Sequence, residues 1–306
     1  MKIIFLLIVM ISCANAQKQN LPLEKKVEVK ESKQIKPKFK YNVQNVDVYN
    51  GKIKYVRVKT NLKDGAYKVL CKNEKISQSH SAQVKKNHLH FYLSESYFSS
   101  PHQKKCFLEG EHVLNVTVKA FQYKQEELNV PKRKVDLNKE DLARVIREKE
   151  IKKHIYDKSA EYYLFDQAFK VPLKSKITSV YGNQRLFNDK KKSQHLGNDL
   201  RAAVGVPITA NNRGQVVFTG DLFFSGKILV IDHGLDLFTV YMHLSKILVE
   251  KGMIVQQGDI VGHAGMTGRV SGPHLHWGVK LNGNWLDGFT LVEESKKHIA
   301  SYELEE

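Results

Sequence analysis

The chain has 306 residues, of which 42% are hydrophobic and 26% charged, and its formal net charge is +17. That length can carry two domains, each burying its own core, and beyond the N-terminus no stretch is apolar for long enough to cross a bilayer. Strong basicity speaks of partners rather than fold. The cations are widely spread and no nucleic-acid module is present, which disfavours nucleic acid and favours an anionic polymer or membrane surface.

Residues 1–16 read as a signal peptide. Lys2 precedes the apolar run Ile3 to Ile11, and small residues end in Ala14-Asn15-Ala16, an A-x-A cleavage site that makes Gln17 the mature start. Removing Lys2, the single charged residue of that segment, takes +17 to +16. Export to the periplasm or cell envelope follows. A second export reading competes: Met10-Ile11-Ser12-Cys13 resembles a poor lipobox, which would make Cys13 a lipid anchor and the chain a lipoprotein. Cleavage after Ala16 leaves Cys71 and Cys106, both near predicted strands. They form either a disulfide in an oxidising compartment or two buried thiols.

The fold class expected is mainly β, with an N-terminal β-sandwich-like domain, a connecting helix and a C-terminal glycine-rich antiparallel β domain. Residues 17–42, rich in Lys, Glu, Gln and Pro, read as a flexible lead-in. From 43 to 132 short strand-like runs are split by turns at Asn50-Gly51 and Asp64-Gly65. Leu89, Phe91 and Leu93 alternate, as do Val116 and Val118. Ile53 and Tyr55 alternate too, before Val56 and Val58 shift phase. His88 and His90 read as a half-exposed strand edge. Residues 136–168 hold the connector: Asn138 caps a helix running to about Asp157, with acidic residues in its first turn and Leu142, Val145 and Ile146 on the packing face. Residues 169–295 alternate short strands with glycine turns and carry the chemistry.

Two motifs in that region stand out. His195-Leu-Gly-Asn-Asp199 places a histidine and a carboxylate four apart, and Gly272-Pro-His-Leu-His-Trp277 adds His274 and His276. A histidine, a carboxylate and a distant histidine can hold one zinc ion per chain and leave a position open for water, the arrangement catalytic zinc needs. In extended chain, residues i, i+2 and i+4 share a face, so all four side chains can meet on one concave surface. A helix through Gly197 is disfavoured. If His195, Asp199 and one of His274 and His276 hold zinc, the other is left for water or substrate, and His243 in Val-Tyr-Met-His-Leu is a further candidate for that role. Asp232 and His233 read as structural. The run Lys190-Lys-Lys192 reads as a solvated loop.

From about Phe169 to Asp287 the chain resembles the lysostaphin/LytM-type zinc metalloendopeptidases, which cut peptides of bacterial peptidoglycan. The resemblance rests on Val180-Tyr-Gly-Asn-Gln-Arg185, His195-Leu-Gly-Asn-Asp199, Gly205-Val-Pro-Ile, Gly214-Gln-Val-Val, Ile231-Asp-His-Gly234, Tyr241-Met-His-Leu244 and Gly268-Arg-Val-Ser-Gly-Pro-His-Leu-His-Trp277, in that order. It implies zinc ligands at His195, Asp199 and His276, catalytic histidines at His243 and His274, and a substrate groove across an antiparallel sheet. Asn183 and Arg185 would border that groove, with Arg185 pairing a substrate carboxylate. Two departures stand out: Tyr181 where Phe is common, and Asp287-Gly288 where Asp-Pro is usual. Peptidoglycan is the implied partner. A non-catalytic wall-binding or amidase-activating protein, and a carboxypeptidase trimming D-amino acids, are the competing readings. Relatives that only activate have lost ligands, whereas this chain keeps them all.

Overall fold

The computed structural model describes residues 40–128, 137–187 and 191–303. The expected signal peptide, the Cys13 anchor, residues 17–39 of the lead-in and Lys190 lie outside these. Seven strands, Gln44–Tyr49, Ile53–Lys59, Gly65–Lys72, Ser77–Lys85, His88–Ser94, His102–Leu108 and Glu111–Lys119, form one hydrogen-bonded sheet, with the first two at its opposite ends. Valines, leucines and Phe91 from these strands meet in a single core, so the sheet is folded over on itself. Cys71 and Cys106 face each other across two paired strands and are disulfide-bonded. Lys86 and Asn87, both at positive φ, make the tight turn into strand His88–Ser94.

The phase shift in strand Ile53–Lys59 has a physical cause. Val56 and Val58 point into the sheet's own core, while Ile53 and Tyr55 point the other way, into a core shared with the C-terminal half. Strand His88–Ser94 is likewise covered on both faces and paired on both sides, so His90 is fully buried rather than on a half-exposed edge. The covering element is a helix, α2 (Gly288–Glu303), absent from the sequence expectation. It serves the unpaired edge of strand Ile53–Lys59: Thr290 Oγ1 accepts from Ile53 N at 3.2 Å and Glu294 Oε2 from Tyr55 N at 2.9 Å. An edge strand's exposed amides are thereby satisfied.

The expected connecting helix, α1, spans Lys139–His154, with the Asn138 side chain accepting from Asp141 N at 2.7 Å. Its packing face differs from the one read in the sequence. Leu142 and Ile146 are 49% and 58% exposed, and the buried side chain is Glu148. The Glu148 carboxylate accepts from Phe223 N at 2.8 and 2.9 Å and from Arg144 Nε at 2.7 Å. The helix is anchored by hydrogen bonds to a loop amide, so apolar periodicity points to the wrong side.

Residues 177–286 build an antiparallel sheet in the order Ile254–Val255, Gly214–Leu222, Gly226–Asp232, Leu237–Leu244, His274–Leu281, Asn198–Arg201, Ile177–Ser179, with Asn284–Leu286 beside His274–Leu281. A separate small sheet joins Lys191–Gln194 and Gln184–Phe187 to Gln125–Leu128, a strand from the N-terminal half. No helix among the described residues is long and apolar enough to cross a membrane.

Candidate active site

Strands Asn198–Arg201 and His274–Leu281 are paired so that Asp199 lies directly opposite His276 and Arg201 opposite His274. His195 sits just beyond strand Lys191–Gln194, tied through backbone hydrogen bonds to Gly182 and Asn183. Three ligand atoms converge. His195 Nε2 is 2.9 Å from Asp199 Oδ1 and 3.1 Å from His276 Nδ1, and His276 Nδ1 is 2.8 Å from Asp199 Oδ1. Tetrahedral zinc with bonds of about 2.05 Å has ligand–ligand edges of about 3.3 Å, so the spacing suits one small cation. Among the described residues this is the single cluster of its kind.

His195 and Asp199 are oriented from behind. His195 Nδ1 lies 2.9 Å from both Ser179 Oγ and the Val180 carbonyl. A carbonyl only accepts, so Nδ1 carries the proton and Nε2 presents its lone pair to the cluster. Asp199 Oδ2 accepts from Arg185 Nη2 at 2.6 Å, which leaves Oδ1 for the cluster. Burial pushes the Asp199 carboxyl up, but His195 and then His276 outweigh it and hold it well below the usual carboxylate range. Burial lowers His276 to about 4, keeping the imidazole neutral as a ligand must be. Gly197 is required by close approach, since a Cβ there would lie 2.4 Å from His276 Nε2. Asn198 ties the motif down: its Oδ1 accepts from Tyr181 N at 3.0 Å and its Nδ2 donates to Asp287 Oδ1 at 3.2 Å. Tyr181, one departure from the family pattern, and Asp287, which precedes the other at Gly288, therefore meet at the residue beside a ligand.

His243 and His274 complete the cleft, with ring centroids 4.9 Å apart. His243 Nδ1 donates to the Thr267 carbonyl and His274 Nδ1 to the Gly272 carbonyl, each at 2.8 Å. Both Nε2 atoms are thus left as proton acceptors. Burial lowers His243 to about 3. His243 also has φ of 63°, a left-handed backbone that a non-glycine residue adopts at a cost, as residues at functional sites often do. The cleft, of about 280 Å³, is lined by these histidines and Asp199 together with Glu126, Ser179, Arg185, Phe224, Met242, Arg269 and Ser271.

All five residues singled out from the sequence come together here. The extended reading of His195 to Asp199 does not hold, because the chain bends at Gly197 between two strands. Arg185 lines the cleft, but its Nε and Nη2 donate to Glu126 and Asp199, so these groups serve the protein's own carboxylates rather than a substrate. Asn183 is buried and donates to Glu126 at 3.0 Å. Asp232 and His233 are structural, as read: Asp232 accepts from Ser159 Oγ and from Ala160 and Gly234 N, and His233 bridges the Arg213 carbonyl and Thr239 Oγ1. Glu126 was invisible in the sequence, lying in a Lys- and Glu-rich stretch with no motif of its own.

Comparison with known proteins agrees with this geometry. Residues 193–288 match Peptidase family M23. The chain is 40% identical over 118 residues to the peptidoglycan DD-endopeptidase ShyA of Vibrio cholerae, a match covering 38% of this chain and 27% of that protein. It is 37% identical over 89 residues to the DD-carboxypeptidase/endopeptidase Mpg of Neisseria meningitidis, covering 29% of this chain and 20% of the relative. The chain thus spans less than a third of the length of these curated relatives. A crystal structure of a peptidase M23 protein from Pseudomonas aeruginosa superposes with a TM-score of 0.60 at 23% identity, over 80% of this chain and 95% of that one. That likeness speaks for the fold, the N-terminal β region included.

Proposed function

We propose that this chain, which carries a Peptidase family M23 domain at residues 193–288, is an exported zinc metalloendopeptidase that hydrolyses peptide cross-links of bacterial peptidoglycan. The observation that carries the reading is the convergence of His195 Nε2, Asp199 Oδ1 and His276 Nδ1 beside two further histidines whose Nε2 atoms are kept as acceptors. His195, Asp199 and His276 would hold one zinc ion. When bound, zinc supplies Lewis acidity toward a carbonyl and lowers the pKa of water to about 7. The protein's own groups do the rest. One of His243 and His274 takes the proton of the attacking water at Nε2. The other, also an acceptor at Nε2, orients that water, and the proton taken up returns to the leaving amine. Their Nδ1–H bonds to backbone carbonyls fix both rings for these exchanges. The net charge of +17 suits an anionic wall.

Metal analysis of the purified chain tests the assignment. The expected result is one chelator-removable zinc in the wild type, none in His195→Ala or His276→Ala, and one zinc without turnover in His243→Ala. Full hydrolysis of purified sacculi by His276→Ala would overturn it. A D-amino-acid-trimming carboxypeptidase with the same site is the second reading, favoured by the double activity in the name of the Neisseria relative.

A further inference from the structure

We infer that Glu126 is a positioning residue of the metal centre, supplied by strand Gln125–Leu128 from outside the matched peptidase domain. Resting on the reading that His195, Asp199 and His276 hold zinc, the inference concerns what aims them. The strand pairs in parallel with Gln184–Phe187, which sets Glu126 beside Arg185. The Glu126 carboxylate accepts from Arg185 Nε at 2.6 Å, Asn183 Nδ2 at 3.0 Å and Ser179 Oγ at 2.9 and 3.0 Å.

Two routes lead from this carboxylate to a ligand. Ser179 Oγ, its proton given to Glu126, is free to accept from His195 Nδ1 at 2.9 Å and joins the Val180 carbonyl in turning Nε2 toward the cluster. Arg185, held at Nε by Glu126, reaches Asp199 Oδ2 with Nη2 at 2.6 Å. One carboxylate thus orients two of the three ligands. Partners behind metal ligands set both their direction and their basicity.

Charge argues the same way. Arg185 is a permanent cation one residue removed from a dication's seat. Paired with Asp199 alone, it would cancel the ligand charge that attracts the metal. Glu126 balances the guanidinium and leaves the Asp199 charge for the ion. Burial pushes the Glu126 carboxyl up, but hydrogen bonds from Arg185, Asn183 and Ser179 together hold it below the usual carboxylate range, so it is ionised for this task.

The test is zinc affinity of the full chain, measured by competition with a chromophoric chelator, together with the visible spectrum of the cobalt-substituted protein. Glu126→Ala and the near-isosteric Glu126→Gln should each bind zinc about 10- to 100-fold more weakly and shift the cobalt bands. Glu127→Gln, the same charge change at the exposed neighbouring position, should stay within about twofold. Wild-type affinity and an unchanged spectrum in both Glu126 variants would overturn the inference, as would equal weakening by Glu127→Gln. A wild-type chain that binds no zinc would overturn the metal reading itself.

Discussion

The five residues of the motif His195-Leu-Gly-Asn-Asp199 divide their labour at the atomic scale. Two ends supply ligand atoms, and the middle makes room and anchors. Gly197 leaves the space taken by the His276 ring, and a backbone oxygen of Trp277 lies 2.9 Å from where a Cβ would stand, so retreat of the ring alone would not admit one. Gly197→Ala is therefore expected to displace His276 and weaken zinc binding at least about tenfold, on the scale of lost ligand support. Isothermal titration with zinc checks this, and unchanged affinity would show that the ring has room to move. The ligand residue types and their order were legible because metal chemistry restricts them to a few side chains. Their support was not: Ser179, Asn198 and Glu126 act through hydrogen bonds between segments distant in sequence, and no local spacing records those.

Helices show how far pattern reading carries at the scale of an element. The start of α1 was readable, since an asparagine before an acidic first turn is a local signal. Its packing side was not, because the anchor is a carboxylate. Glu148→Ala would leave Phe223 N without its acceptor in a buried place and should destabilise the fold by about 1–3 kcal/mol. Leu142→Ser and Ile146→Ser, on the exposed side, should each stay within about 0.5 kcal/mol. Urea denaturation of the three variants compares them directly, and the reverse ranking would restore the apolar face as the packing face. Helix α2 escaped notice because its role is contextual. Glu294, His298 and Ser301 are polar letters that become interior only against strands Ile53–Lys59 and His88–Ser94.

At the scale of the whole molecule, the described residues from both halves form one compact unit. The joint is built from Lys52 on Asp287, Glu126 on Ser179 and Arg185, and an aromatic cluster of Tyr55, Tyr92, Tyr163 and His298. His298 belongs to a set of histidines kept neutral by burial: His80 is lowered to about 3, His233 to about 4, and His298 well below its ordinary value. A folded value below the unfolded one means that the stabilisation is complete above pH 6.5 and is lost as pH falls toward the folded value. Each histidine can contribute a slope of about 1.4 kcal/mol per pH unit there. The urea midpoint of the metal-free chain should therefore fall steadily from pH 7 to pH 5, and His298→Gln should flatten that fall. An identical slope in the variant would remove His298 from the account. The mainly β class was legible because alternation and glycine turns are local. The joint was visible only as the phase shift between Ile53 and Val56, a trace of two buried faces that one domain alone does not explain. The proposed activity is tested most directly by mass spectrometry of muropeptides released from purified sacculi by the zinc-loaded chain. Cross-linked dimers should become monomers, with one water added per bond cut, and His276→Ala should leave them intact. Dimers that persist while terminal residues alone are lost, or products that still appear with His276→Ala, would contradict the account.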